Sequence, residues 1–253
     1  MNTIGDIYSF LCSLAPLEAQ MDFDNAGLQT GRLSASLNRA VLALDITEAV
    51  IDEAAAEKAE LIISHHPLIW GTLKSVSGRR GEKLLRLAEN GIAAISMHTN
   101  LDIAAGGVND VLLGLFCAEA QGPLDNLGCG RLGNLEETME LSAFLALVRE
   151  KLGGTGLRYY DAGRPVRRLA VMGGAGGDAL EAAAERGCDT YLTADIKYDQ
   201  FLLAAELGIN LIDGDHFCTE NPVIPVLAEA LAKRFPDTEF IVSKKHQQLI
   251  SFA

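Results

Sequence analysis

The sequence predicts an α/β fold made of two related lobes, each a strand–helix–strand–helix–strand core. Three observations predict it. Short apolar runs at residues 40–44, 61–64, 92–97 and 169–172, bounded by turn-forming residues, have the length and the apolar continuity of strands buried in a parallel sheet. Helical patterns separate them, and a strand–helix–strand order implies parallel strands joined by a right-handed crossover. The second half also repeats the first. Glu53-Ala54-Ala55-Ala56-Glu57-Lys58 is echoed by Glu181-Ala182-Ala183-Ala184-Glu185-Arg186, and Ala88-Glu89-Asn90-Gly91-Ile92 by Ala205-Glu206-Leu207-Gly208-Ile209, in the same order.

Each element follows from its residues. Ile4, Ile7, Tyr8, Leu11 and Leu14 recur at the spacing of one helical face, and Pro16 closes that helix. Residues 22–29 are dense in turn formers and lead to a short strand. After the strand at 40–44, Asp45-Ile46-Thr47 offers an N-cap for a helix over about 48–58. A second helix, about 82–89, ends at Asn90-Gly91. The strand at 92–97 runs into His98-Thr99-Asn100-Leu101-Asp102, read as extended, so that His98, Asn100 and Asp102 share a side. Gly106-Gly107 precedes a helix at about 108–116. The glycine-rich stretch 128–134 marks the passage between lobes, dividing the chain into 1–126 and 127–253. Asn221 or Thr219 caps a helix with Pro222 in its first turn, running to about residue 234, and a strand at 239–243 closes the fold.

Composition excludes several classes of function. The 253 residues are 49% hydrophobic and 22% charged, an ordinary globular balance, and the net charge of -13 argues against a nucleic-acid-binding face. No apolar run reaches membrane-spanning length, and the first fifteen residues lack the pattern of a signal peptide. The five cysteines (12, 117, 129, 188, 218) are scattered without a CxxC pair, as in a reduced cytoplasmic protein.

The residues that suggest chemistry sit at strand ends. Leu61-Ile62-Ile63-Ser64 delivers His65-His66-Pro67 to the C-terminal edge of a sheet, where open α/β folds place their ligands. His98 and Asp102 follow the next strand, and Gly214-Asp215-His216 with Thr219-Glu220 follows a third. Imidazoles and carboxylates without thiolate pairs suit iron, zinc, manganese or cobalt. Adjacent residues on an extended backbone point apart, so His65 and His66 are expected to serve two ions, with a carboxylate such as Glu220 between them. A lone histidine at a strand end is usually an ordinary hydrogen-bonded residue; four, with two carboxylates, are not. His246, in a polar tail, reads as ordinary. A rival motif, Gly174-x-Gly176-x-x-Ala179 with Asp195 at the next strand end, matches a dinucleotide fingerprint, but a tight strand-to-helix turn or an anion pocket is the preferred reading, because such glycine turns are common and the fingerprint alone is weak.

These motifs together resemble the Nif-three-like dinuclear metal-centre proteins, the GTP cyclohydrolase 1 type 2 homologues. The resemblance rests on Asp24-Asn25 with Gly27-Leu28-Gln29, on Ser64-His65-His66-Pro67, on His98 to Asp102, on the stretch 128–133, and on Gly214-Asp215-His216 with Thr219-Glu220. It covers essentially the whole chain, in the short form without an inserted domain. It implies two divalent metal ions in the cleft between the lobes, His66 and Asp102 holding one, His65 and His216 the other, and Glu220 bridging. His98 would lie beside the centre in proton transfer, with Glu220 also counted as catalytic. It implies a toroidal homohexamer acting on a small molecule or nucleotide, with GTP cyclohydrolase chemistry the family's option. The alternative is a non-enzymatic metal carrier or protein-interaction scaffold. Asp199 stands where the family often has a histidine after an aromatic residue, so that histidine's role does not carry over.

Overall fold

The computed structural model describes residues 1–116, 119–153 and 156–251. The chain forms two compact units, one of residues 1–105 and 224–247, the other of residues 106–223 and 248–253.

The first unit contains β1 (Asn2–Thr3), α1 (Ile4–Leu14), β2 (Gly27–Thr30), β3 (Ser36–Leu37), β4 (Arg39–Ala43), α2 (Glu48–Ala56), β5 (Leu61–Ser64), α3 (Gly78–Glu89), β6 (Ala93–Ser96) and α4 (Thr99–Ile103). Thr3 and Asp6 form a capping box on α1, which buries Ile4, Ile7 and Leu11. The Thr47 hydroxyl accepts the Val50 amide at the start of α2. Strands β4, β5 and β6 are parallel and in step, so Ala43, Ser64 and Ser96 lie side by side at one edge. Strand β2 adds antiparallel to β6. Every residue of β5 is buried, and Val41, Ile51, Ile62, Leu87 and Ala94 form a core beneath α2 and α3.

The second unit contains α5 (Val108–Gly114), β7 (Glu119–Pro123), β8 (Arg131–Met139), α6 (Leu141–Leu152), β9 (Arg158–Tyr160), β10 (Val166–Val171), α7 (Leu180–Glu185), β11 (Thr190–Thr193), α8 (Tyr198–Leu207), β12 (Asn210–Asp213) and α9 (His216–Glu220). Its sheet runs β7-β8-β10-β11-β12-β9, with β10, β11 and β12 parallel and the others antiparallel. Alternating side chains build a core on each face. Leu169, Val171, Leu192 and Ile212 pack with Phe144 and Val148 of α6, whereas Ala170, Tyr191 and Leu211 pack with Ala183 of α7 and Ala204 of α8. Helix α10 (Val223–Arg234) and β13 (Glu239–Val242) complete the chain, β13 pairing with β4 in the first unit.

Five expectations change. The division at residue 126 gives way to a boundary after Ala105, because α10 and β13 carry the chain back to the first sheet. The glycine-rich 128–134 is no linker: Arg131–Met139 is a strand paired with β10, and Gly130, at φ +61°, sits close against the Val171 carbonyl. The segment after β6 is helical, with Leu101 and Asp102 amides donating to the His98 carbonyl, so His98 and Asp102 are one turn apart. The capping of the last helix moves upstream: Asp215 accepts the Cys218 amide and starts a separate turn, α9, ahead of α10. Helix α3 also begins at Gly78, four residues before the predicted start, because its first turn is polar and leaves no apolar signal.

Candidate metal centre

In the first unit, hydrogen bonds fix the turn that carries the histidines. The His66 amide donates to the Leu44 carbonyl (2.9 Å), and the His66 carbonyl accepts from the Ser64 hydroxyl (2.8 Å) and the Ser96 hydroxyl (3.2 Å). The backbone bends at residues 65–66 instead of continuing as a strand. The two rings therefore do not point apart as an extended chain would require; their centroids lie 5.0 Å apart. The His98 ring is 5.2 Å from that of His65 and 5.6 Å from that of His66. One ligand atom from each of the three histidines falls within 4.8 Å of the others, a group able to hold a metal ion. Asp102 Oδ1 lies 3.6 Å from His65 Nε2.

Each imidazole is oriented through its other nitrogen. His65 Nδ1 is 2.8 Å from the Met97 carbonyl, which can only accept, so the proton is on Nδ1 and the lone pair on Nε2. His66 Nδ1 is 2.8 Å from Asp45 Oδ1, and His98 Nδ1 is 2.8 Å from Asp24 Oδ1. This is how proteins set metal-binding histidines, with the outer nitrogen donating to an oxygen and the inner one presented to the ion. Burial raises the Asp24 carboxyl, but hydrogen bonds from His98 and Thr99 outweigh it and hold the group down at about 2. Asp45 is depressed further: burial opposes the shift, while hydrogen bonds from His246 and His66 cause it.

His246 is not ordinary. Its side chain is buried, and Nε2 lies 3.1 Å from Asp45 Oδ2, forming a His246–Asp45–His66 chain. Asp45, Asp195 and His246 were not in the sequence-derived ligand set. For Asp45 a signal existed, since it ends the strand beside the one that delivers His66.

In the second unit, His216 and Glu220 occupy one turn of α9, with His216 Nε2 3.1 Å from Glu220 Oε2. Asp195 Oδ2 holds His216 Nδ1 at 2.8 Å. The Glu220 hydrogen bond is the largest cause pushing His216 up to about 9; burial opposes it, and Asp195 adds to it. Asp195 and Asp215 have φ of +52° and +71°, conformations that cost non-glycine residues about 1–3 kcal/mol and cluster at functional positions. The glycine turn at 173–177 belongs to this half. A Cβ on Gly174, at φ +66°, would collide with the Glu220 carboxylate. The Gly173 amide donates to Asn109, and the amides of Gly174 and Gly176 to the hydroxyls of Thr219 and Thr193. These amides are used inside the protein, as in a tight packing turn, rather than presented to a pyrophosphate. Asp199 is in the first turn of α8.

In each unit, imidazoles beside carboxylates, each ring held by an oxygen acceptor, are donor types that fit divalent transition-metal ions. Fold and donor set define an α/β protein with groups able to hold metal. The family profile described as Duf34/NIF3 (NGG1p interacting factor 3) matches residues 2–248. The chain belongs to this family. A Clostridium perfringens protein named GTP cyclohydrolase 1 type 2 homolog is 33% identical, with 98% of this chain and 99% of that protein covered. A homolog of the same name from Campylobacter jejuni is 32% identical over 96% of this chain and 97% of its own length. Among solved structures, reduced HcgD from Methanocaldococcus jannaschii superposes with a TM-score of 0.86 at 30% identity, covering 96% of this chain and 98% of that one. A Bacillus cereus protein related to NIF3 shares the fold, with a TM-score of 0.89 at 24% identity and coverage of 100% and 99%. No helix among the described residues is long and apolar enough to cross a membrane.

Proposed function

We propose that the chain is a two-metal hydrolase in which both units contribute ligands to one dinuclear centre. The observation that carries this is the orientation of four histidines through Nδ1, which leaves Nε2 in each as the nitrogen that would meet an ion. His65 and Asp102 approach one another, as do His216 and Glu220. We therefore assign His65 and Asp102 to one ion and His66 and His216 to the other, with Glu220 bridging; this exchanges the two adjacent histidines relative to the pairing that the family resemblance implied. Mixed N/O ligation suits iron, zinc, manganese or cobalt. Two ions held in this way would acidify water and polarise the bond to be cleaved.

The protein's own residues do the rest. His98, held by buried Asp24, is a base oriented by a carboxylate, arranged to accept a proton at Nε2. Asp45 and Asp195 hold the rings of His66 and His216 in a single tautomer. GTP is the first substrate to test, because the curated relatives are named for GTP cyclohydrolase. The assembly proposed is the toroidal homohexamer, checked by light scattering at several concentrations. A cytoplasmic location is consistent with the scattered cysteines, which include no CxxC pair, and cell fractionation checks it; Cys117 lies outside the described residues.

The deciding experiment is metal content per chain on anaerobically purified protein, paired with a GTP turnover assay. About two ions per chain in the wild type, falling sharply in Glu220→Ala together with turnover, is the expected result. Retained turnover after chelation and removal of His65 and His66 would falsify the reading. Labile metal that passes to an apo-acceptor, without turnover of any substrate, would favour a carrier instead.

A further inference from the structure

We propose that Phe23 and Trp70 form a stacking platform beside the histidine cluster for a planar nitrogen heterocycle; this deepens the hydrolase reading, on which it rests. Large aromatic side chains usually gain their stability by burial. These two stay open, Phe23 at 64% and Trp70 at 45% exposure. They are not loose. Their ring centroids are 6.0 Å apart at 47°, and the Trp70 ring meets His98 edge to face at 5.3 Å. The platform therefore touches the imidazole assigned to proton transfer.

The backbone under both rings is tied down. The Ile69 amide donates to Gln29 Oε1 (3.0 Å), the Ile69 carbonyl accepts from Asn25 Nδ2 (2.8 Å), and the Trp70 carbonyl accepts from Arg80 (2.8 Å). On the other side, Asp24 next to Phe23 accepts from His98 and from the Thr99 amide. Rigid aromatic faces bind at low entropic cost, because little is left to order when a ligand arrives. A Cβ placed on the following residue, Gly71, would meet nothing within 4 Å, so the space beside Trp70 is open.

The surroundings select the ligand class. A saturated chain would prefer a dry pocket, whereas both rings are open to water, with the His98 ring against Trp70 and Arg80 bonded to the Trp70 carbonyl. A polar aromatic ring can lay its π-face on the platform and keep its nitrogens hydrated, which is how flat bases are held without being enclosed. Two side chains are also far less than the roughly 1,000 Å² that a specific protein interface needs.

Trp70 is the single tryptophan of the chain, so its fluorescence reports this site alone. In metal-loaded wild-type protein, guanosine and pterin are expected to quench it saturably, and ribose 5-phosphate is not. Equilibrium dialysis, which does not depend on fluorescence, should show binding of the heterocycles weakened about tenfold in Trp70→Leu and in Phe23→Ala, with metal content unchanged. Unchanged affinity in both variants overturns the platform. So does equal quenching by ribose 5-phosphate, or a Trp70 that becomes shielded only as the chain self-associates, which would mark the pair as an interface between copies. The same titration separates the two readings: saturable heterocycle binding in a wild type that takes up no metal keeps the platform and removes the hydrolase.

Discussion

The two units share one plan and put different chemistry on it. In each, three parallel strands run in order with helices between them, an antiparallel strand pairs with the third, and a five-residue helix follows that third strand. In the first unit these are β4, β5, β6, β2 and α4; in the second, β10, β11, β12, β9 and α9. The residue capping the short helix is His98 in one and Asp215 in the other. Beyond the middle strand stand His65 and His66 in one, Ala194 and Asp195 in the other. The strands, apolar in both, specify the scaffold, and the residue or two just past each strand specify the chemistry. The first half supplies mostly imidazoles, while the second supplies carboxylates and one imidazole.

The largest test of this comparison removes a donor from each unit in turn. His65→Ala and His216→Ala should each lower metal content well below the wild-type value, while circular dichroism shows both sheets intact. If only one variant loses metal, the centre belongs to a single unit and the shared-site reading fails. Next is Gly174→Ala, which forces a left-handed backbone and a clash with Glu220 together; thermal denaturation should show a loss of about 1–3 kcal/mol along with weakened metal binding.

The carboxylates that orient the rings should act in parallel across the units. Asp45→Asn and Asp195→Asn are expected to weaken metal affinity by about 10–100-fold, with His246→Ala at the lower end because it acts through Asp45. Competition with a chelator of known affinity measures this, and a wild-type affinity in Asp195→Asn would break the parallel.

A pH prediction sharpens the contrast further. In metal-free protein His216 is raised from 6.5 to about 9 by Glu220 and Asp195. Its contribution to stability is therefore complete below about 6.5 and disappears as the pH rises through about 9. A metal ion must displace the same proton, so uptake should strengthen with pH across that window. Glu220→Gln should bring the His216 resonance back toward its ordinary titration; a wild-type resonance already titrating near 6.5 would defeat the assignment. The smallest expected effect is Thr47→Ala, the loss of one helix cap, at about 1 kcal/mol with metal content unchanged.

Much of the fold was legible in the sequence. The helix at Ile4–Leu14 and the strand at Leu61–Ser64 were read at their observed limits, because helical periodicity and an unbroken apolar run are local signals. Strands β7, β8 and β9 were not read. They are antiparallel, partly exposed and rich in glycine or charge, and only pairing with a neighbour makes them strands. The residues proposed as ligands stood out as histidines and carboxylates placed just after buried strands.

What orients them did not. Asp24 stands in a motif and Asp195 at a strand end, but nothing local gives them, Asp45 or the tail residue His246 an orienting role, and His246 lies 201 residues from the aspartate it meets. The sequence by itself determined the α/β class, the internal repeat and the donor types, because these depend on composition and short-range periodicity. Tertiary structure alone decided that residues 65 and 66 converge instead of diverging, that residues 98–102 coil into a helical turn, and that the last helix and strand return to the first sheet. Those outcomes rest on long-range hydrogen bonds and strand pairing, whose energy depends on partners that no local stretch of sequence contains.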